Sequence, residues 1–307
     1  MGPDPGDPRD SIKDSASGSG PLPKRDFLPG VSLSIVGFGG LILAGMSQAN
    51  GARLVAESIA RGVNYFDVSP AYGKGEAEQR LGPALQPFRP AVFLAGKTLE
   101  RSAAGARKEL EESLKRLRSD HFDLYQFHAV NCLEDVEHIF APGGAMEAFL
   151  RAREEGLVRF LGFSSHSVPI SLSLLDRHCF NSILFPVNYV CYARGNFGPQ
   201  VIEKARACGV ARVALKAMAH TPWPAAGPRQ YPNCWYRPID DAGLALQALR
   251  FTLSEDVTAL FPPADEHLYR LALSLAGSAT PLSRDERQRL LDSARGLKPI
   301  MKAKKSD

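Results

Sequence analysis

Four side chains stand where a polar group is out of place. Asp67 ends the apolar run Tyr65-Phe66, and Tyr72 follows five positions on, past Pro70 and directly before Gly73. Lys97 closes Phe93-Leu94-Ala95-Gly96, and His128 closes the run from Phe122 to Phe127. An acid and a phenol where a strand meets its loop suggest proton transfer, provided a neighbour tunes a phenol whose free pKa is about 10. Lys97 and His128 are the two candidates for that neighbour. Taken singly, each residue has a plainer reading: Asp67 as a turn acid, Tyr72 as a packing aromatic, Lys97 as half of a structural ion pair, His128 as a core histidine. Only their convergence on one place would make them a site.

The elements that would position them alternate along the chain. A Pro-Gly hairpin over Phe27–Ser34 comes first, then the apolar run Ser34–Phe38 before Gly39-Gly40. Strands are expected at Tyr65–Asp67, Ala91–Lys97, Phe122–His128, Phe160–Phe163, Ser182–Val187, Arg212–Leu215 and Val257–Phe261. Between them lie helical patterns, among them Glu76–Leu85, Ser102–Leu117 with Ser102 as N-cap, Val168–Arg177 and Pro199–Cys208. Strand–helix alternation implies parallel strands with right-handed crossovers. Eight such units in roughly 270 residues suggest a closed (β/α)8 TIM barrel with an N-terminal hairpin and an extra C-terminal helix, Ser283–Arg295. In such a barrel the ends of adjacent strands share one mouth, which would gather Asp67, Lys97 and His128 beneath Tyr72. The expected boundaries are a disordered leader at 1–24, one barrel at 25–297 and a basic, frayed tail at 298–307. His220–Asp240 reads as a long loop.

Composition excludes several function classes. The hydrophobic fraction of 44% and charged fraction of 23% are ordinary for a globular chain. A net charge of +4, carried by dispersed basic residues, offers no nucleic-acid surface. No apolar run is long enough to span a membrane. Five cysteines without paired spacing argue against a disulfide framework or a metal site, and for a reducing, cytoplasmic compartment. No G-x-G-x-x-G fingerprint follows a strand.

The motifs occur in a familiar order. Val36-Gly37-Phe38-Gly39-Gly40, Asn64-Tyr65-Phe66-Asp67 with Tyr72-Gly73, Gly96-Lys97-Thr98, Asp123-Leu124-Tyr125-Gln126-Phe127-His128 and Gly156 to Ser164 together resemble the aldo-keto reductase superfamily, from Phe27 to about Leu275. The resemblance implies NAD(P)H-dependent reduction of an aldehyde or ketone, usually with NADPH and here with NADH possible. Its catalytic tetrad falls on Asp67, Tyr72, Lys97 and His128, with Tyr72 as proton donor. Lys97 would make the phenol acidic, Asp67 would hold the lysine, and His128 would polarise the carbonyl. Cofactor contacts are implied at Gly39, Gly40, Asp67, Ser164, Ser165, Asn188, Lys216, Pro263 and Arg270.

Several positions depart from the family pattern. Ser165 replaces the usual Asn, and Asn188 replaces Gln. Leu215-Lys216-Ala217-Met218 is closer to the Met-Lys-Pro pattern of the bacterial predicted-oxidoreductase branch, and Lys216 could meet a pyrophosphate or pair within the mouth. Asp265 and Glu266 stand where a basic pair would grip the adenosine phosphate, leaving Arg270 as the nearby cation. Trp223, Trp235 and Tyr236 could roof a substrate pocket or pack on their own barrel. The competing function is a cofactor-binding barrel that senses redox state or regulates a partner. A lyase or isomerase barrel would need a phosphate loop after the last two strands, and no Gly-rich segment lies there.

Overall fold

The computed structural model describes residues 20–303 of the chain. Among these residues, twelve strands and eleven α-helices follow in sequence. β1 (Lys24–Leu28) and β2 (Val31–Ser34) form the expected hairpin, turned by Gly30 at φ +77°. Eight parallel strands then make the barrel: β3 (Phe38–Gly39), β4 (Tyr65–Asp67), β5 (Phe93–Thr98), β6 (Phe122–Phe127), β7 (Val158–Ser164), β8 (Ser182–Pro186), β9 (Ala211–Leu215) and β12 (Ala259–Leu260). A parallel bridge between Val36 and Leu260 joins the two ends of the sheet. The hydrogen bonds Gly37 N to Leu260 O and Leu260 N to Ile35 O, each 2.9 Å, complete it.

Two-residue periodicity explains the division of the interior. Alternate strand residues point to opposite faces. Tyr65, Phe93, Ala95, Leu124, Leu184 and Val213 therefore pack inside the barrel, and the hairpin closes the end below them with Phe27, Val31 and Leu33. The intervening residues Phe66, Leu94, Tyr125 and Phe127 face outward and pack in a separate cluster with the surrounding helices.

Helix signals were legible where capping chemistry is explicit. α3 (Ala103–Leu117) starts at Ser102, whose hydroxyl accepts from Gly105 N, and buries Leu110, Leu114 and Leu117 on one stripe. α2 (Glu76–Leu85) and α6 (Val168–Arg177) fall on their expected residues. α4 (Leu133–Phe140) and α7 (Tyr189–Gly195) lie in stretches to which the sequence pattern assigns no element. The long loop at His220–Asp240 is partly regular: β10 (Ala219–Pro222) and β11 (Tyr236–Pro238) pair as an antiparallel hairpin.

The boundaries shift as well. Most of the expected leader lies outside the described residues, but Leu22 is buried and its N–H donates to Arg61 O at 3.0 Å, so the folded part begins before Lys24. Of the expected tail, Ile300, Met301 and Ala303 pack against the core, and Ala303 N donates to Gly195 O at 2.8 Å. Residues 298–303 are therefore held by a backbone bond and apolar burial rather than frayed. Residues 304–307 lie outside the described part.

Candidate active site

The C-terminal ends of β4, β5 and β6 bring the first four residues together. Strand register sets this up: Asp67 pairs with Ala95, and Lys97 pairs with Gln126. Asp67 and Lys97 point inward on adjacent strands and form an ion pair, 3% and 1% exposed. Lys97 Nζ also donates to Tyr72 Oη at 3.1 Å. The second carboxylate oxygen of Asp67 accepts from Gln126 Nε2 at 3.0 Å. Both oxygens of the acid are thus occupied, which a buried carboxylate requires.

Tyr72 is placed by the loop after β4. Its N–H donates to Ser69 O at 3.0 Å, and Gly73 then turns the chain at φ +61°, a conformation that costs glycine least. The Tyr72 and His128 rings meet edge to face, 5.7 Å apart and at 89°. His128 Nδ1 lies 3.0 Å from Ser69 Oγ.

Electrostatics correct one expectation. Burial pushes the Tyr72 phenol above its ordinary value, and Lys97 offsets this only in part. Burial also works against the Lys97 charge, but Asp67 and Tyr72 outweigh it, and the ammonium pKa is raised. Burial raises the Asp67 pKa against the pull of Lys97 and Gln126. The geometry is that of an ion pair between Asp67 and Lys97 beside an intact phenol. Because the ammonium donates to Tyr72 Oη, the phenolic hydrogen is free to point elsewhere. Burial, and after it Lys97, lowers His128 to about 3, so its imidazole is neutral.

The residues implied as cofactor contacts divide into two groups. Gly39, Asp67, Lys216 and Pro263 line one cleft between the strand ends, of about 110 Å³, together with Tyr72 and the loop aromatics Trp235 and Tyr236. Lys216, at φ +65°, sits against Trp235 and Tyr236 with its ammonium 5.5 and 5.1 Å from their ring centres. Burial lowers its pKa to about 8. Gly40 is required for packing: a Cβ there would lie 2.9 Å from Val68 Cγ2 and 3.0 Å from Asp67 O.

The other polar positions are committed to the scaffold. Asn188 caps α7, its Oδ1 accepting from Val190 N and Cys191 N at 3.0 Å each, while Nδ2 donates to Lys216 O and Ala219 O. Ser164 Oγ accepts from Ala129 N at 2.8 Å. Ser165 Oγ is engaged with Asn131 Oδ1 and with Ser167 N and O. Arg270, on α10 (Glu266–Ala276), is paired with Glu57 and, at 2.9 Å, with Glu266. Trp223 does not line the cleft; its indole N–H donates to Cys234 O at 2.7 Å and ties the loop together.

Three participants went unread in the sequence. Gln126 lies two residues before His128, so the period of β6 turns both inward and was the available signal. Ser69 sits inside the stretch that carries Asp67 and Tyr72. His166 has a buried Nε2 without a partner among the described residues, and burial, then Lys216, lowers it to about 4; nothing in its local pattern marks it out. Among the described residues, no three His, Cys, Asp or Glu side chains are grouped to hold a metal ion. No helix there is long and apolar enough to cross a membrane.

Known proteins share this architecture. The chain is 25% identical to an aldo-keto reductase of Bacillus halodurans in its holo form, with a TM-score of 0.71 over 91% of this chain and 98% of that one. An aldo-keto reductase of Klebsiella pneumoniae in complex with NADPH shares the fold at 18% identity, with a TM-score of 0.65 over 89% and 94%. An L-galactose dehydrogenase of Arabidopsis thaliana is 30% identical over 161 residues, 48% of this chain and 50% of that protein. The chain spans about half the length of the curated relatives it matches. The model of the aldo/keto reductase family matches residues 36–231, well over half of the sequence and every strand end that carries the Asp67–Tyr72–Lys97–His128 set, and the chain belongs to that family.

Proposed function

We propose that the chain reduces an aldehyde or ketone to the alcohol with a nicotinamide dinucleotide as hydride donor and Tyr72 as proton donor. The observation that carries this is the buried Asp67–Lys97 pair with its ammonium 3.1 Å from the Tyr72 oxygen. The donor set suits such a ligand. Aromatic and apolar walls can take a flat ring, and Lys216 is a cation with no carboxylate beside it among the described residues.

The bound dinucleotide would supply hydride to the carbonyl carbon. The protein's part is the oxygen. As charge develops there, Tyr72 gives up its hydrogen, and the phenolate that remains lies against the Lys97 ammonium. Asp67 keeps that ammonium charged and in place. His128, neutral and fixed by Ser69, offers a ring nitrogen to the same oxygen.

Arg270 bears on the choice of dinucleotide. With Glu57 and Glu266 both against it, its charge is already balanced and a 2′-phosphate would compete with two carboxylates. This supports NADH being bound at least as well as NADPH. Fluorescence titration with both dinucleotides, followed by stopped-flow oxidation with a panel of aldehydes and quinones, tests the reading. Binding of one dinucleotide with turnover of at least one carbonyl is expected; absence of binding to either would sink it.

A further inference from the structure

We infer that Ser69 is a positioning residue for this chemistry: its buried hydroxyl sets His128 in the Nε2–H tautomer, so that the imidazole presents a hydrogen-bond donor to the substrate oxygen. The use of that donor rests on the carbonyl-reduction reading, while the tautomer can be measured without any turnover.

The geometry leaves the hydroxyl one arrangement. Ser69 is fully buried. Its Oγ accepts from Ala71 N at 3.3 Å and lies 3.0 Å from His128 Nδ1, and no other partner reaches it among the described residues. The hydroxyl hydrogen therefore has a single acceptor, the lone pair of Nδ1. Were Nδ1 protonated instead, it would donate to Oγ and the serine hydrogen would be buried without a partner, which is the costlier state. With Nδ1 accepting, the proton of a neutral imidazole sits on Nε2, since the bond at one ring nitrogen decides the state of the other.

The ring is also kept from turning away. His128 N donates to Thr98 O at 2.8 Å, and its carbonyl accepts from Arg101 Nη2 at 2.8 Å. The next residue, Ala129, is held at φ +53°, with its N–H on Ser164 Oγ. A left-handed alanine is strained and persists only where its surroundings enforce it. Four bonds thus spend the polar groups around His128 on orientation, and Nε2 alone has no partner among the described residues. The commitment of Ser164 to Ala129 belongs to the same device.

Histidine ¹⁵N labelling of the full chain and long-range ¹H–¹⁵N correlation at neutral pH read the tautomer, with His128→Asn identifying the signal. The wild-type protein should show the Nε2–H pattern. Ser69→Ala should mix the two tautomers and lower kcat about threefold to tenfold, with dinucleotide affinity unchanged, and Ser69→Thr should restore both readings. An Nδ1–H pattern in the wild type, or an unchanged tautomer in Ser69→Ala, overturns the assignment. The wild-type spectrum decides even if the alanine variant fails to fold. An Nε2–H pattern in a protein that reduces no carbonyl would remove the carbonyl reading and leave the tautomer assignment standing.

Discussion

The two halves of the barrel rim are built differently. At the ends of β4, β5 and β6, polar side chains satisfy one another: Asp67 with Lys97 and Gln126, Lys97 with Tyr72, Ser69 with His128. What remains unspent among the described residues is the hydrogen of the Tyr72 phenol, one imidazole nitrogen of His128 and the buried amide oxygen of Gln126. At the ends of β7, β8 and β9, the polar side chains are spent on the backbone, as with Ser164, Ser165 and Asn188, while Lys216 faces aromatic rings. On the proposed function the first half is the one preorganised for chemistry, because its charges are compensated before any ligand arrives. The second half is preorganised as scaffold, and its free cation and orphaned His166 are what a ligand could engage. A polar residue at a strand end therefore says little until its hydrogen bonds are counted.

The contrast can be broken most directly at the phenol. Tyr72→Phe keeps the ring and loses the proton, and carbonyl reduction should fall by at least about 10²-fold while dinucleotide affinity holds. Retained turnover would mean that the first half is scaffold too.

Lys97→Met should leave Asp67 buried without its cation, at a cost of about 3–5 kcal/mol in denaturant unfolding. Adding Asp67→Asn should recover much of that stability and none of the activity. If the single variant is as stable as the wild type, the pair does not carry the compensation argued here.

Asn188→Ala sharpens the other side. It removes the cap of α7 and should cost about 0.5–2 kcal/mol of stability, with dinucleotide affinity little changed. A large loss of affinity without loss of stability would return Asn188 to the ligand. Glu266→Gln releases part of the charge on Arg270, and NADPH affinity should rise about twofold to fivefold relative to NADH.

The effect that is smallest at neutral pH, and grows only on acidification, is that of the buried histidines. His128 and His166 are lowered to about 3 and about 4 in the folded protein from 6.5 in the unfolded chain. Between those values the unfolded state binds more protons, so the two histidines add stability that is complete above pH 6.5 and is lost on acidification. His166→Asn should flatten the acid limb of a plot of Tm against pH. An unchanged slope would place the imidazole in water.

Much of this was legible because burial leaves a mark on sequence. Tyr65-Phe66-Asp67 and Phe93 to Lys97 read as strands since an apolar run ending in a charge has few other uses, and eight apolar runs alternating with helical patterns implied the barrel. Asn188 stayed ambiguous because its residue type suits a ligand amide and a helix cap equally, and α7 was not read as a helix. Arg270 could be seen beside Glu266 one helical turn away, but Glu57 is distant in the chain. Trp223 and Trp235 look alike in one loop, and only the pairing of β10 with β11 separates the one that ties the loop from the one that lines the cleft.

By itself the chain of residues determined the alternation of strands and helices, the inward period of each strand, and which three side chains end adjacent strands with Tyr72 in the loop after the first, because these follow from local burial and spacing. Tertiary structure alone decided how each polar atom is spent: that Asn188 holds the carbonyls of Lys216 and Ala219, that Glu57 reaches Arg270, and that burial outweighs Lys97 in raising the Tyr72 pKa. Hydrogen bonds and desolvation act over a few ångströms between residues far apart in the chain, and those distances exist only once the barrel has closed.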